Sequence, residues 1–148
     1  MLDHLRLSPD LDRDGLEVAA RAYEAAGTLA VVAPILADRP VAATMPLAAA
    51  DLAGADIAAD GERPTLLWRE QVAIAEDFAA AWTGRVSAAV GPSAPQRCSD
   101  DLLVAAAELS ARRGLVLRMH VLETQVQRAR AYGCTGGQCW RICMRWGC

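Results

Sequence analysis

The chain has 148 residues, a net charge of −3 and a pI near 5.3, and 53% of its residues are hydrophobic. This length suits one ordinary domain, and without a basic excess to attract phosphates the composition argues against nucleic acid or a membrane surface as partner. The charged N-terminus, MLDHLRLSPDLDRD, is not a signal peptide and the apolar runs are too short to span a bilayer, so we expect a cytoplasmic protein in which disulfides are unlikely.

The first third of the chain alternates apolar runs with helical periodicity. MLDHL is a short apolar run, and Asp14 to Ala26 has apolar side chains at helical spacing, with Gly27 as a helix stop. The valines and the length of LAVVAPIL, which ends before Asp38, favour a buried strand. The irregular pattern from Pro40 to Pro64 predicts a loop with weak helix.

The middle of the chain predicts a second helix and a third strand. Thr65 to Thr83 has helical periodicity, and RVSAAVGP is a strand candidate that ends at Gly91 and Pro92. The helix is expected to place one set of apolar residues on a single side: Leu67, Val72, Ala75 and Phe78.

A third helix has both ends marked in the sequence. Its markers are Ser99 as N-cap, Asp100 and Asp101 in the first turn, Arg112 and Arg113 in the last turn, and Gly114 as stop. LVLRMHVLE follows as a fourth strand candidate, and TQVQRARAYG begins another helix that stops at Gly133. Strands alternating with helices predict an α/β fold of parallel β/α units. Four units would form a small open sheet or about half of an eight-stranded barrel, which needs roughly 250 residues.

The fourth strand carries the candidate site. Alternation puts Val116, Arg118, His120 and Leu122 on one face, and His120 lies near the C-terminal end with Glu123 just beyond. In a β/α barrel catalytic groups cluster at that end, beside loops such as the one that starts at Gly91. A lone histidine there is more often a hydrogen-bonded structural residue, and a lone glutamate a solvated carboxylate, so the residues alone leave both interpretations open.

The segments GPSAPQRCSDDLL and MHVLETQVQRARAYG resemble the amidohydrolase superfamily. The likeness is to the group that contains triazine hydrolases and deaminases of adenosine derivatives and guanine. The opening LDH fits the same group, as does the stretch with Ala33, Pro34 and Ala37 to Pro40, so the likeness runs from Met1 to Gly133.

The resemblance implies a (β/α)8 barrel that holds one divalent metal, zinc or iron. Metal-activated water would attack a ring carbon that bears an amino group or a halide on a heteroaromatic substrate. His120 matches the family's metal ligand on the fifth strand, and Glu123 matches the carboxylate that handles substrate protons or hydrogen-bonds the ring. Relatives often have histidine at position 118, where Arg118 places a cation that faces the same way.

The family's other ligands are missing from the sequence. The family takes an H-x-H pair from its first strand, a histidine after the sixth and an aspartate after the eighth, whereas this chain has two histidines, His4 and His120. His4 matches a second-strand position rather than a ligand. We therefore expect residues 1–133 to be a partial TIM (β/α)8 barrel, roughly strands two to five with their helices. We expect this fragment to bind no metal and to be inactive alone.

The last fifteen residues, CTGGQCWRICMRWGC, differ from the rest of the chain. Their four cysteines lack the close C-x-x-C pairs of a zinc knuckle. All fifteen basic residues are arginine, as expected for a GC-rich gene, and GC-rich codons for this tail read in another frame give a segment similar to the helix that follows A-Y-G in the family. We therefore expect 134–148 to be a frameshifted tail. The alternative is a small non-catalytic β/α binding protein with a genuine Cys-rich tail.

Overall fold

The structure is a computed structural model that describes residues 1–8, 10–40 and 66–121, with Glu123 and Gln125. The elements are β1 (Leu2–Leu5), α1 (Arg13–Ala25), β2 (Ala30–Leu36), α2 (Trp68–Ala81), β3 (Val86–Ala88), β4 (Gly91–Pro92), a 3-10 helix (Pro95–Arg97) and α3 (Asp100–Arg113). Within these ranges no helix has the length and apolarity needed to cross a membrane. The predicted loop after Pro40, most of the predicted helix 124–133 and the tail 134–148 lie outside the described residues.

The strands form a parallel sheet whose order follows the chain. β1 pairs with β2 in a register that places Leu2 opposite Val31. On its other side, β2 pairs with β3 near its start and with β4 near its end. This arrangement confirms the predicted α/β class. Because β-strand crossovers are right-handed, parallel strands added in sequence order place their helices on one face of the sheet.

A single hydrophobic core lies between the sheet and the three helices. Its most buried members are Leu16 and Ala20 of α1, Val32 and Leu36 of β2, Phe78 of α2, Val86 of β3, and Leu102, Ala106 and Leu109 of α3. Alternate residues of the strands face the other way. We call that side the open face, and by strand register it comprises Leu2, His4, Val31, Ala33, Ile35, Ser87, Ala89, Gly91, Val116, Arg118 and His120.

The predicted ends of α3 are confirmed, and α1 begins and ends one residue before the predicted range of Asp14 to Ala26. Asp12 caps α1 by accepting the backbone N–H groups of Asp14 and Gly15 at 3.0 and 2.9 Å. Ser99 caps α3 by accepting from the N–H of Leu102 at 3.2 Å. Gly114 ends α3 with a φ of 62°, a left-handed conformation that glycine adopts without the steric cost of a Cβ.

The second helix is shorter than predicted, and its buried side includes three of the four predicted residues in or against the core. It spans Trp68–Ala81 rather than Thr65 to Thr83, and Leu67 precedes it with 65% of its surface exposed. Ala75 and Phe78 are buried as predicted, Val72 is partly buried against the core, and Ile74 is buried as well. A leucine just outside a helix end does not share the helical face that the spacing assumes.

The two strands near the candidate site are less regular than predicted. RVSAAVGP forms β3 and β4 with a break at Ala89 and Val90. The described residues of the predicted strand 115–123 pair through one parallel bridge, from Leu117 to Val90, and Leu122 lies outside the described residues. Two backbone hydrogen bonds flank that bridge. The N–H of Val90 donates to the carbonyl of Val116 at 2.9 Å, and the N–H of Arg118 donates to the carbonyl of Val90 at 2.8 Å. The break in the neighbouring strand shortens the ladder, so the segment lies in fourth-strand position without forming a continuous strand.

Candidate functional site

Two histidines from opposite ends of the chain meet on the open face. The Nδ1 atoms of His4 and His120 are 3.1 Å apart and form a hydrogen bond, and the ring centroids are 4.6 Å apart with 25° between the planes. Both side chains are partly buried. The resemblance implies that His4 is a second-strand residue rather than a ligand, and the structure brings it into direct contact with His120.

The contact requires the sheet to curve toward the open face. His4 belongs to β1 and His120 to the fourth-strand segment, which in a flat sheet would be about 14 Å apart at roughly 4.8 Å per strand spacing. Nδ1 is close to its own backbone, so a separation of 3.1 Å between these atoms does not fit a flat sheet. Inward side chains from different strands meet in this way when a β/α sheet curves into a barrel.

Gly91 leaves room for the His4 ring because it has no Cβ. A Cβ at this position would be 2.5 Å from the carbonyl oxygen of Pro34 and 3.0 Å from Cδ2 of His4. Without that atom, the His4 ring lies against the backbone, and its Nε2 is 3.1 Å from the carbonyl oxygen of Gly91. The glycine of the G-P-S-x-P segment is therefore a contact of the site as well as the start of a rim loop.

The rim loop after β4 is attached at several points. The N–H of Ser93 donates to the carbonyl of Leu36 at 2.9 Å, and the carbonyl of Ser93 accepts from the N–H of His120 at 3.1 Å. At the end of β2, the carboxylate of Asp38 accepts from the N–H of Ser99 at 2.7 Å. These bonds hold the backbone beneath His120 in register with the end of β2.

A buried glutamine fixes the same edge from the helical side. The side-chain amide of Gln71 donates to the carbonyl of Ala37 and accepts from its N–H, both at 2.9 Å. The residue is 3% exposed. Sequence periodicity does not predict it, because a polar residue at a core position is recognised only when its partner is known.

Burial and nearby positive charge keep His4 in the neutral form. Desolvation lowers the pKa of His4, and the charges of His120 and Arg118 lower it further, while the hydrogen bond to Gly91 and the carboxylate of Asp3 oppose the shift. Asp3 itself faces the helices, where it accepts a hydrogen bond of 2.7 Å from the hydroxyl of Tyr23 and so raises the pKa of that tyrosine.

The other predicted site residues are exposed to solvent. Arg118 lies on the open face as predicted and is exposed, and Glu123 follows His120 and is also exposed. Among the described residues, no group of three or more histidine, cysteine, aspartate or glutamate side chains could hold a metal ion. Within the described part of the chain, the candidate site therefore consists of His120 and its hydrogen-bonded partner His4.

Cys98 is not a candidate nucleophile. It is fully buried in the core, its thiol donates to the carbonyl of Leu36 at 3.4 Å, and burial raises its pKa to about 11. The thiolate is the reactive form of cysteine, so this residue is structural at neutral pH.

Comparison of the chain with protein-family models and with curated protein sequences finds no match.

Proposed function

We propose that this chain forms part of a metal-dependent amidohydrolase of the (β/α)8 type, acting on C–N or C–Cl bonds of heteroaromatic substrates. The proposal is supported by the position of His120 on the open face of a parallel sheet, opposite the face that the described helices cover. His120 also lies near the C-terminal end of its segment, and β/α barrels assemble their active sites at that end of their strands. The reaction and the metal in this proposal come from the sequence resemblance. The position of His120 in the structure is compatible with that of a metal ligand near the end of a barrel strand.

His120 is chemically suited to hold a divalent cation. Its backbone N–H is bonded to Ser93 and its Nδ1 to His4, so Nε2 is the ring nitrogen left for a ligand. Neutral imidazole is a preferred ligand of zinc and iron. One imidazole does not make a catalytic site, which needs about three protein ligands, so the remaining ligands would come from other segments of the barrel.

When bound, the metal would lower the pKa of a water molecule so that hydroxide is available near neutral pH. Glu123, three residues beyond His120, would move protons between that water and the substrate ring. Arg118 would place a positive charge on the same face and disfavour cationic substrates.

The nucleotide sequence around codons 130–148 and on both sides of the gene is the first test. Reading frames that encode an H-x-H strand before Met1 and further barrel strands after Gly133 would support the proposal. A gene that encodes these 148 residues in one intact frame, with no barrel sequence on either side, would favour the non-catalytic binding protein.

Activity of the polypeptide with those segments restored is the second test. Metal content and turnover of aminated purines, aminated pyrimidines and halogenated triazines would be measured together. His120→Ala should abolish both, and Glu123→Gln should keep the metal and reduce turnover by about 10²-fold or more. Glu108→Gln on the exposed side of α3 is the matched control and should change neither. Turnover that survives His120→Ala would refute the proposal.

A further inference from the structure

We infer that His4 is a positioning residue: it fixes His120 in the tautomer that carries its proton on Nδ1, which leaves the Nε2 lone pair for a cation. The tautomer follows from the hydrogen bonds of the two rings. Its use by a cation rests on the proposed function.

The argument starts at a carbonyl group, which only accepts hydrogen bonds. Nε2 of His4 is 3.1 Å from the carbonyl oxygen of Gly91, so this nitrogen must carry a hydrogen and donate it. A neutral imidazole has one N–H group. Nδ1 of His4 therefore has a lone pair and is an acceptor.

The second ring is then determined by the first. Nδ1 of His120 is 3.1 Å from that acceptor, so the hydrogen between the two rings belongs to His120. A neutral His120 with its proton on Nδ1 has its lone pair on Nε2. The tautomer of a ligand histidine is ordinarily set in this way, by a hydrogen bond to its other nitrogen.

Backbone groups hold both ends of this chain of hydrogen bonds. On one side, Gly91 accepts from His4 and leaves room for its ring, because even a Cβ would lie 3.0 Å from Cδ2. On the other side, the N–H of His120 is bonded to Ser93 and the N–H of Arg118 to Val90. Fixed backbone at both ends leaves little freedom for the rings to turn away from each other.

The direct test is a long-range ¹H–¹⁵N spectrum of the full metal-free chain labelled at histidine. The spectrum is taken at about pH 8, above the ordinary histidine pKa. With two histidines in the sequence, His120→Ala assigns both spin systems. We expect the Nδ1–H pattern for His120 and the Nε2–H pattern for His4. An Nε2–H pattern for both histidines would overturn the inference.

Two substitutions of His4 separate positioning from packing. His4→Leu removes the acceptor and should release His120 toward the Nε2–H tautomer. His4→Asn keeps an oxygen near the position of Nδ1 and should retain the Nδ1–H tautomer. An Nδ1–H pattern for His120 in His4→Leu would show that His4 does not set it. If the leucine variant does not fold, the wild-type and asparagine spectra still decide.

Titration with a large excess of Co²⁺ tests whether the lone pair is available to a cation, because a single imidazole binds such an ion weakly even in a fragment that is expected to hold no resident metal. Cys134, Cys139, Cys143 and Cys148 are replaced by serine in every variant, so that thiolates do not compete for the ion. Paramagnetic broadening should begin at Nε2 of His120, and His4→Leu should weaken the apparent affinity by about 10- to 100-fold. An Nδ1–H tautomer without broadening at His120 would refute the availability of its Nε2 to a cation, whereas the proposed function is tested separately with the restored polypeptide. Broadening with equal affinity in His4→Leu would refute the positioning role of His4.

Discussion

The two faces of the same sheet differ in what fills them. On the helical face, Val32, Val86 and Leu102 are 0 to 1% exposed, and large apolar side chains exclude water. On the open face, Ala89 and Gly91 are small, and the His4 ring lies against Gly91 while its Nδ1 is hydrogen-bonded to His120. The helical face thus buries most of the large apolar side chains, whereas the open face has a hydrogen-bonded histidine pair in place of apolar packing.

Truncating one large side chain on each face should give the largest difference between them. Leu102→Ala removes a fully buried side chain and should cost about 2–5 kcal/mol of unfolding free energy. Val116→Ala changes an open-face side chain that is 65% exposed and should cost about 0.5 kcal/mol or less. Urea unfolding of the full chain measures both. Similar losses would mean that the open face is also a packed core.

Alkaline pH should destabilise the helical face through Cys98. The pKa of the folded thiol is raised from 9.0 to about 11, so the folded state keeps its proton where the unfolded state has lost it. Its contribution is complete below pH 9.0 and is lost as pH rises from 9.0 to about 11, by roughly 2 to 3 kcal/mol at 1.4 kcal/mol per pKa unit. Comparing urea unfolding of wild type and Cys98→Ala across this range isolates the thiol. Parallel curves for the two proteins would contradict the prediction.

A methyl group at Gly91 should disturb the open face. The Cβ of Gly91→Ala would meet two backbone carbonyl oxygens, those of Pro34 and Ala33, at 2.5 and 3.0 Å, and such overpacking costs about 1–3 kcal/mol. Gly84→Ala is the matched control, because a Cβ there has nothing within 4 Å. Urea midpoints and the histidine spectrum should both change in the first variant only. An equally small effect of both substitutions would show that Gly91 is not confined.

Acidic pH should give the smallest effect, and it should act on the open face. The pKa of His4 is lowered below 6.5 by burial and by the charges of His120 and Arg118, with Asp3 opposing the shift. The unfolded state therefore binds the proton first. The stability contribution is complete above pH 6.5 and is lost as pH falls from 6.5 through the lower folded pKa. Unfolding curves between pH 7.5 and 5 should converge for wild type and His4→Asn, and curves that stay parallel would argue against a neutral His4.

Local signals in the sequence determine the class and most of the elements. Ser99, Gly27 and Gly114 act through hydrogen bonds and backbone angles that involve a few neighbouring residues, so their effects can be predicted from a short stretch of sequence. The valine-rich run that became β2 is central in the described sheet, and a strand with neighbours on both sides shows its burial directly in its composition.

The site depends on tertiary structure, because its contacts join residues that are far apart in the chain. His4 and His120 are separated by 116 positions, and their contact depends on the curvature of the sheet and on the missing Cβ of Gly91. Alternation predicts that His120 faces away from Leu117, but not which strand lies opposite. Short-range patterns therefore predict helix ends, strand burial and the face that His120 occupies. The pairing of His120 with His4 arises in the folded sheet, since strand curvature is a property of several paired strands rather than of any one segment.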